Sequence, residues 1–355
     1  MKITLATLLV LILSGCSQEE PKSKPGLIGI SLTASQNSIS GLEGALEAVE
    51  YTTSRGINLF GMSPEWTELE SVAGTYSFQD PIINPLTLLD PDESKLKSFI
   101  LILKVIDTNR KTVPSDLEDT SFGDAALINR FLNLIDALAE LQPMERVSHI
   151  LLGNEVDAYL STTASELNAF STFYQEAVNR IHEKMPWIKV GTIITFYSAA
   201  TNPAVFNALL PISDFVCYTY YPVDNSNPNW QMLPPEDIVS DITLMATLAG
   251  SKTFGLTEIG YASSVENNSS EAQQKEFIEV MFKSFKPYKN KGKLEFLYYH
   301  GLYDYPPDFC ESYAESQGVS PIGLCSFMNT LGLKSYETGD AKAGWETFEN
   351  MLKSW

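Results

Sequence analysis

The stretch Leu151-Leu152-Gly153-Asn154-Glu155-Val156 decides the fold, because it places a carboxylate directly after a buried apolar run. The stretch Phe254-Gly255-Leu256-Thr257-Glu258-Ile259-Gly260-Tyr261 has the same arrangement. Near-continuous apolar runs are typical of strands in a parallel sheet whose two faces are covered by helices. In a parallel α/β barrel, the carboxyl ends of the strands form the face that carries the active site. The two stretches therefore predict that Glu155 and Glu258 lie at one face of such a barrel.

On either side of these stretches, short apolar runs alternate with longer segments of helical period. Eight runs predict strands: Leu27–Leu32, Ile57–Met62, Phe99–Ile106, His149–Asn154, Lys189–Ile194, Phe215–Tyr220, Phe254–Glu258 and Leu294–His300. The predicted helices are Gly41–Arg55, Ala125–Leu141, Thr163–Met185, Pro203–Leu210, Pro235–Ala249, Glu271–Phe285 and Ala341–Lys353, and the second crossover falls within Asp80–Lys97. The alternation predicts an α/β fold, a single-domain (β/α)8 TIM barrel, because an open doubly wound sheet normally has fewer strands and a Gly-rich first turn.

Three long connections follow strands at the face that carries Glu155 and Glu258. They are Asp107–Asp119, Thr219–Pro234 and Tyr303–Ser326. Long irregular loops in a compact domain are usually functional. We therefore expect them to form the walls of a cleft.

The first residues have the pattern of a targeting segment. Lys2 precedes the apolar run Ile3–Leu13, which is too short to span a bilayer. Leu13-Ser14-Gly15-Cys16 resembles a bacterial lipobox, which implies that Cys16 is lipidated and becomes the mature N-terminus. An ordinary signal peptide with an incidental cysteine is the alternative.

This pattern divides the chain into a lipoprotein signal peptide (1–15), a lipidated tether (16–26) and the barrel catalytic domain (27–355). Ser17 stands where an Asp usually retains lipoproteins at the inner membrane. We therefore expect an outer-membrane lipoprotein that faces the periplasm or the cell surface.

The remaining cysteines suggest no metal site. Cys310 and Cys325 flank a loop-like stretch and either pair in an oxidising compartment or stay free. Cys217 lies in an apolar run, which is typical of a buried thiol. Because the chain has neither a Cys/His cluster with zinc spacing nor a Gly-rich phosphate loop, we expect no metal ion and no organic cofactor.

The formal net charge of −20 disfavours nucleic acid as a partner, because a phosphate backbone is repelled by such a field. The charge suits work on a neutral polymer or oligosaccharide. Contact with a membrane is expected through the lipid anchor alone. We expect a monomer, although the sequence leaves the oligomeric state open.

Two carboxylates at one barrel face are what cleavage of a glycosidic bond with retention of configuration requires. One carboxylic acid protonates the leaving oxygen and the other attacks the anomeric carbon, at a separation of roughly 5–5.5 Å. Asn154 precedes Glu155 and either binds a sugar hydroxyl or caps the turn. The sequence thus predicts a pair of catalytic glutamates.

With these motifs the chain resembles clan A glycoside hydrolases. Asn154-Glu155 ending strand four and Glu258 ending strand seven are similar to the acid/base and the nucleophile of that clan. The segment Pro64–Glu70 with Gly74–Phe78 resembles a stretch after strand two in several clan families. Phe215–Pro222 resembles the tyrosine-bearing strand six, whose hydroxyl contacts the nucleophile. The short motifs look most like family 53 endo-galactanases and family 17 glucanases, and the segment after strand two looks more like families 42 or 10.

The resemblance implies a retaining β-glycosidase that acts on a β-linked polysaccharide or oligosaccharide with Glu155 as acid/base and Glu258 as nucleophile. Two alternatives stay open. One is a noncatalytic glycan-binding lipoprotein on a barrel scaffold. The other is a transglycosylase, which would use both glutamates.

Several further side chains are candidates for substrate contacts. Trp66 follows a strand end and is either a sugar platform or a residue at the edge of the core. Tyr218 and Tyr220 share one face of strand six, and one of them is expected to point into the barrel mouth. Trp230 lies in a Pro/Asn-rich loop, where an exposed ring suits sugar stacking, and His300 ends strand eight, where it can donate to a substrate hydroxyl.

Overall fold

A ring of parallel strands forms the centre of the computed structural model, which describes residues 26–39, 41–90, 94–162, 164–224, 226–318 and 320–355. The barrel strands are β1 (Leu27–Ile30), β2 (Leu59–Met62), β3 (Ser98–Asp107), β4 (Val147–Asn154), β5 (Lys189–Gly191 and Ile193–Thr195), β6 (Val216–Tyr220), β7 (Phe254–Ile259) and β8 (Leu294–Tyr299). They pair in chain order, and β8 pairs with β1. Strand β5 closes the ring, because its first part pairs with β4 and its second part pairs with β6. The prediction of a (β/α)8 barrel is confirmed.

Buried side chains pack together inside the ring. The interior cluster consists of Leu59, Ile100, Leu151, Ile193, Phe215, Cys217, Phe296 and Tyr298. Tyr298 fills the space beside two glycines: a Cβ on Gly29 would lie 2.2 Å from the Tyr298 ring, and the amide of Gly61 donates to the Tyr298 hydroxyl at 3.2 Å. A packed barrel interior confines any ligand to the ends of the barrel.

The helices surround the ring and bury the outer faces of the strands in the larger core. They are α1 (Gly41–Thr53), α2 (Trp66–Leu69), α3 (Asn84–Leu88), α4 (Ala125–Ala139), α5 (Val156–Thr162), α6 (Ala164–Lys184), α7 (Phe196–Thr201), α8 (Ala204–Leu209), α9 (Ile238–Leu248), α10 (Glu271–Asn290), α11 (Pro307–Gln317), α12 (Leu324–Met328) and α13 (Ala343–Leu352). A π-helical turn, Gln79–Ile83, leads into α3. Short 3₁₀ helices are Ser115–Leu117, Gln142–Arg146, Pro235–Asp237 and Val265–Asn267.

Every predicted strand overlaps an observed one, and the differences lie in the connections. Strand β3 runs one residue beyond its predicted end, to Asp107, because it forms a hairpin with Arg110–Lys111. A second hairpin pairs Val223–Asp224 with Gln231–Met232. The fifth crossover contains a helix, α7, that lacks a long apolar period and was not predicted. The second crossover holds α3 within the predicted range.

The predicted signal peptide, Cys16 and nearly all of the tether lie outside the described residues. Within the described part of the chain, no helix has the length and apolarity needed to cross a membrane.

Candidate active site

Glu155 stands on a sharp turn between β4 and α5. The backbone is left-handed at Gly153 (φ 84°) and at Glu155 (φ 45°), and a Cβ on Gly153 would lie 2.4 Å from the Val156 side chain. A left-handed non-glycine residue costs roughly 1–3 kcal/mol, and such positions cluster at functional sites. The half-buried Glu155 carboxylate accepts from the Thr219 hydroxyl at 2.7 Å and from the Thr108 hydroxyl at 3.2 Å. These two bonds fix its orientation at the barrel mouth.

Glu258 reaches the same mouth through an irregularity in β7. The register of β7 against β6 shifts between Leu256 and Glu258. Thr257 already faces the barrel interior, where it contacts the Cys217 thiol. Regular alternation would turn the next side chain outward, and a bulge can re-aim it. Glu258 therefore also faces inward.

Tyr221 holds the Glu258 carboxylate, and His300 lies beside it. The Tyr221 hydroxyl donates to Oε2 of Glu258 at 2.7 Å, and His300 Nδ1 lies 3.9 Å from the same oxygen. On its other side, His300 Nε2 lies 2.8 Å from the Tyr305 hydroxyl. Burial and the Glu258 charge raise the pKa of Tyr221 well above its usual value, so the phenol remains a hydrogen-bond donor.

The two glutamates differ in their surroundings. Burial raises the pKa of Glu155 above its usual value, and the negative charge of Glu258 raises it further. The hydroxyls of Thr219 and Thr108 oppose this effect because they donate to the charged form. A carboxylic acid that stays protonated beside a second carboxyl group is the arrangement that acid catalysis of glycoside cleavage uses.

One polar atom of the Asn154 side chain is left for a ligand. Its Nδ2 donates to Asp107 Oδ1 at 3.2 Å, while its buried Oδ1 has no hydrogen-bond partner among the described residues. Lys104 binds the other oxygen of Asp107 at 3.1 Å, and this pair fixes the asparagine amide. A buried acceptor without a partner is rare and fits a ligand hydroxyl.

Beside Glu155, a cleft of about 600 Å³ opens between the ends of β5 and β6. Its lining includes Glu155, Thr219, Tyr221, Phe196, Tyr197 and Trp230. Tyr197 is 60% exposed at the rim, and Trp230 packs against Phe327 at a centroid distance of 5.6 Å. The cleft thus offers flat aromatic rings next to the candidate acid, and Trp230 is one of them, so its contact with a sugar stays a prediction.

Three of the predicted substrate contacts are placed differently. Trp66 is fully buried, donates to Glu70 Oε2 at 2.9 Å and packs on Phe131, so the sugar-platform prediction is wrong. Tyr218 is fully buried as well, and its hydroxyl binds the Met245 carbonyl.

Tyr220 has the same outward direction as Tyr218. Its hydroxyl donates to Asp241 of α9 at 2.6 Å, although its ring lies against the cleft. Neither hydroxyl reaches the barrel mouth, because the inward face of β6 carries Cys217 and Thr219 and is continued by Tyr221.

Cys310 and Cys325 form a disulfide with a Cα–Cα distance of 5.3 Å, which joins α11 to α12 beside the site. Cys217 is buried and free. The described residues contain no group of three or more His, Cys, Asp or Glu side chains arranged to hold a metal ion.

The sequence did not identify five residues near the carboxylates: Thr108, Thr219, Tyr221, Tyr305 and Tyr313. Tyr221 had a signal, because it lies in the stretch that resembles the tyrosine-bearing strand. The others come from loops or from strand positions whose inward direction is a tertiary property.

No protein-family model and no curated protein sequence matches this chain. Among solved structures, a GH5_18 from Bifidobacterium longum subsp. longum ATCC 55813 is similar, with a TM-score of 0.69 at 13% identity over 93% of this chain and 79% of that chain. A variant of GH5_18 from the same strain, in complex with Manb1-4GlcNAc, has a TM-score of 0.67 at 11% identity over 93% and 78%. The exo-beta-1,4-mannosidase Op5Man5 from Opitutaceae bacterium strain TAV5 has a TM-score of 0.66 at 18% identity over 94% and 60%. At these identities the likeness shows the barrel fold, and the resemblance to families 53 and 17 stays a prediction.

Proposed function

We propose that this chain is a glycoside hydrolase that cleaves a β-linked oligosaccharide or polysaccharide with retention of configuration. The observation that carries the proposal is the pair of glutamates at the barrel mouth. Glu155 has a raised pKa caused by burial and by Glu258, while Glu258 is held by Tyr221. The names of the structural neighbours support the same class of reaction, and one of them binds Manb1-4GlcNAc. β-Mannosides are therefore the first substrates to test.

In the first step, Glu155 donates its proton to the glycosidic oxygen while Glu258 attacks the anomeric carbon. The bond from the anomeric carbon to the leaving oxygen breaks, and a glycosyl–Glu258 ester forms. In the second step, the ionised Glu155 takes a proton from water, which attacks the anomeric carbon and releases Glu258. The free Oδ1 of Asn154 accepts a hydrogen bond from a substrate hydroxyl, and this bond strengthens as positive charge develops on the sugar ring.

The test compares Glu155→Gln and Glu258→Gln with the parent protein on aryl β-glycosides and on β-glycans. The Glu258→Gln variant should lose turnover on every substrate. The Glu155→Gln variant should lose about 10²–10⁴-fold on unactivated glycans and much less on an aryl glycoside with a good leaving group, because that leaving group needs little proton donation. Glu176→Gln on the exposed face of α6 is the matched control.

Proton NMR of the first-formed sugar identifies the stereochemistry. A β-anomer that appears before mutarotation supports a double displacement, whereas an α-anomer rejects Glu258 as nucleophile. Binding of glycans without any cleavage would favour a noncatalytic glycan-binding protein. Transfer products that dominate over hydrolysis when an acceptor sugar is present would favour a transglycosylase.

Lipidation of Cys16 would hold the barrel at the outer membrane, where incoming glycans arrive. Support for this part of the proposal comes from the Leu13–Cys16 stretch alone. Membrane fractionation of the full-length chain and its Cys16→Ser variant tests it. Equal distribution of the two proteins between membrane and soluble fractions would reject the anchor.

A further inference from the structure

The loop after β8 crosses the barrel mouth. This β8 loop (residues 301–330) carries α11 and α12. Tyr313 of α11 interacts with the hydroxyl of Thr108, which follows β3, and it lies within electrostatic reach of Glu155, Glu258 and Asp107. In the sheet, β8 and β3 are separated by β1 and β2. A contact between Tyr313 and Thr108 therefore covers the carboxyl ends of β1 and β2.

Stacked rings make this cover continuous. They begin at His300 beside Glu258 and continue through Tyr305 and Phe309 to Tyr313, with centroid distances of 5.7, 5.0 and 6.2 Å. We call His300, Tyr305, Phe309 and Tyr313 the aromatic wall. Offset stacking at such distances is a favoured arrangement of aromatic side chains. The wall is thus a packed structure at the Glu258 side of the mouth.

One link holds the β8 loop together, and a second link fixes its base to the barrel. The Cys310–Cys325 disulfide ties α11 to α12. At the start of the loop, buried Asp304 accepts from Lys342 Nζ at 2.6 Å, just before α13. Removal of one partner from such a buried pair is strongly destabilising, so the pair holds the base of the loop in place.

The open side of the mouth lies next to the candidate acid. The cleft beside β5 and β6 is lined by Glu155 but not by Glu258. A general acid must lie within hydrogen-bond reach of the leaving oxygen, so the cleft is the side on which the leaving group extends. The sugar that is attacked by Glu258 then lies against the aromatic wall.

We propose that the aromatic wall closes the site behind one sugar, so that the enzyme removes single residues from the non-reducing end of a β-linked chain. This inference rests on the proposed hydrolase function. A second sugar on the non-reducing side would need the space that Tyr305 and Tyr313 fill, whereas the reducing side of the substrate continues along the cleft past Tyr197 and Trp230.

The experiment uses β-linked hexasaccharides labelled at the reducing end, with the linkage that the parent protein cleaves best. The first labelled product should be the pentasaccharide alone, and shorter labelled products should appear only in sequence. Early labelled dimers or trimers would overturn the inference and leave the hydrolase proposal intact. Failure to cleave any aryl glycoside or glycan would reject the hydrolase proposal and the inference together.

A Phe309→Ala/Tyr313→Ala variant tests the wall directly. Labelled products from internal bonds should rise from background to at least about a tenth of the first cleavages. The tenfold preference for the terminal bond that remains corresponds to about 1.4 kcal/mol. Tyr197→Ala is the matched control on the leaving-group side, and it should leave the position of the first cleavage unchanged. Single-residue release by a folded double variant, verified by circular dichroism, would count against the wall.

Discussion

The Tyr221 hydroxyl donates a hydrogen bond of 2.7 Å to Oε2 of Glu258. The bond links the residue after β6 to the end of β7, across the irregular register that turns Glu258 inward. A tyrosine in this place fixes the direction of the carboxylate. Tyr221 is therefore a positioning residue for the proposed nucleophile.

Replacing Tyr221 with Phe should lower kcat/KM by about 10–100-fold, because a hydrogen bond to a charged group contributes roughly 1.5–3 kcal/mol. Most of the loss should appear in kcat, since Tyr221 acts through Glu258. Tyr218→Phe removes an equivalent hydroxyl that binds only the Met245 carbonyl. Steady-state kinetics of both variants on an aryl β-glycoside make the comparison, and equal losses would show that the effect is one of stability alone.

The pH dependence of activity should report the proton on Glu155. Its pKa is raised to about 8, chiefly by burial and then by Glu258. Glu155 must be protonated to donate, so activity on unactivated glycans should fall tenfold per pH unit above that value. Thr219→Val removes a hydroxyl that stabilises the charged form, so the alkaline limb should move to higher pH.

Thr253→Val is the matched control for this shift, because Thr253 binds Glu295 at the opposite pole of the barrel. The measurement is kcat as a function of pH for the three proteins. An alkaline limb that stays fixed in Thr219→Val while kcat falls would reject Glu155 as the group that titrates.

Reduction of the Cys310–Cys325 disulfide should loosen the site at the Glu258 side. The disulfide joins residues separated by 15 positions, and closure of a loop of that length contributes roughly 3 kcal/mol in the chain-entropy model. We expect a Cys310→Ser/Cys325→Ser variant to have a lower Tm and a higher KM, because α11 carries Tyr313. Differential scanning calorimetry and kinetics with and without a thiol reductant measure both effects. A reductant that changes the variant as much as the parent protein would show that it acts elsewhere.

The barrel was predictable from the sequence because most strands are near-continuous apolar runs, and the two glutamates were predictable because they end such runs. The sequence did not show which side chains of β6 point into the barrel. Period-two alternation separates Tyr218 and Tyr220 from Thr219 and Tyr221, but it does not say which set faces inward. Packing decides the direction. Tyr218 and Tyr220 lie against the helices, where their hydroxyls donate hydrogen bonds to the Met245 carbonyl and to Asp241.

Trp66 and Tyr313 also show that the sequence does not determine where a side chain lies relative to the site. Trp66 was a candidate for the site and lies away from it, whereas Tyr313 was not a candidate and lies near the carboxylates. Trp66 follows a strand end, where the sequence predicted either a sugar platform or a residue at the edge of the core. The side chain is fully buried and contacts Glu70 and Phe131. Tyr313 lies in the polar helix α11, within a stretch that the sequence predicted only as a long loop. Its position near the carboxylates depends on an interaction with Thr108, a residue far from it in the sequence. Long-range contacts of loops are not encoded in local pattern.

The buried pair Asp304–Lys342 should dominate the stability of the β8 loop. Lys342→Met leaves the Asp304 carboxylate without its partner at 9% exposure, which we expect to cost about 3–5 kcal/mol. Lys283→Met is the matched control, because its pair with Glu279 is exposed and such pairs contribute roughly 0–1 kcal/mol. Asp304→Leu/Lys342→Met should recover part of the loss, since neither charge remains buried.

The loss in Lys342→Met should also depend on pH in a fixed direction. Burial already raises the pKa of Asp304 to about 6 against the opposing effect of Lys342, and without the lysine it should rise further. An acid whose pKa is higher in the folded state destabilises the fold when it ionises, so the penalty is absent below its unfolded pKa of about 4 and grows as pH rises toward the folded value. Urea denaturation of Lys342→Met and the parent protein at pH ~4 and pH ~8 measures the difference. A penalty that is equal at both pH values would show that lost packing of the lysine chain, and not the unpaired Asp304 charge, is responsible.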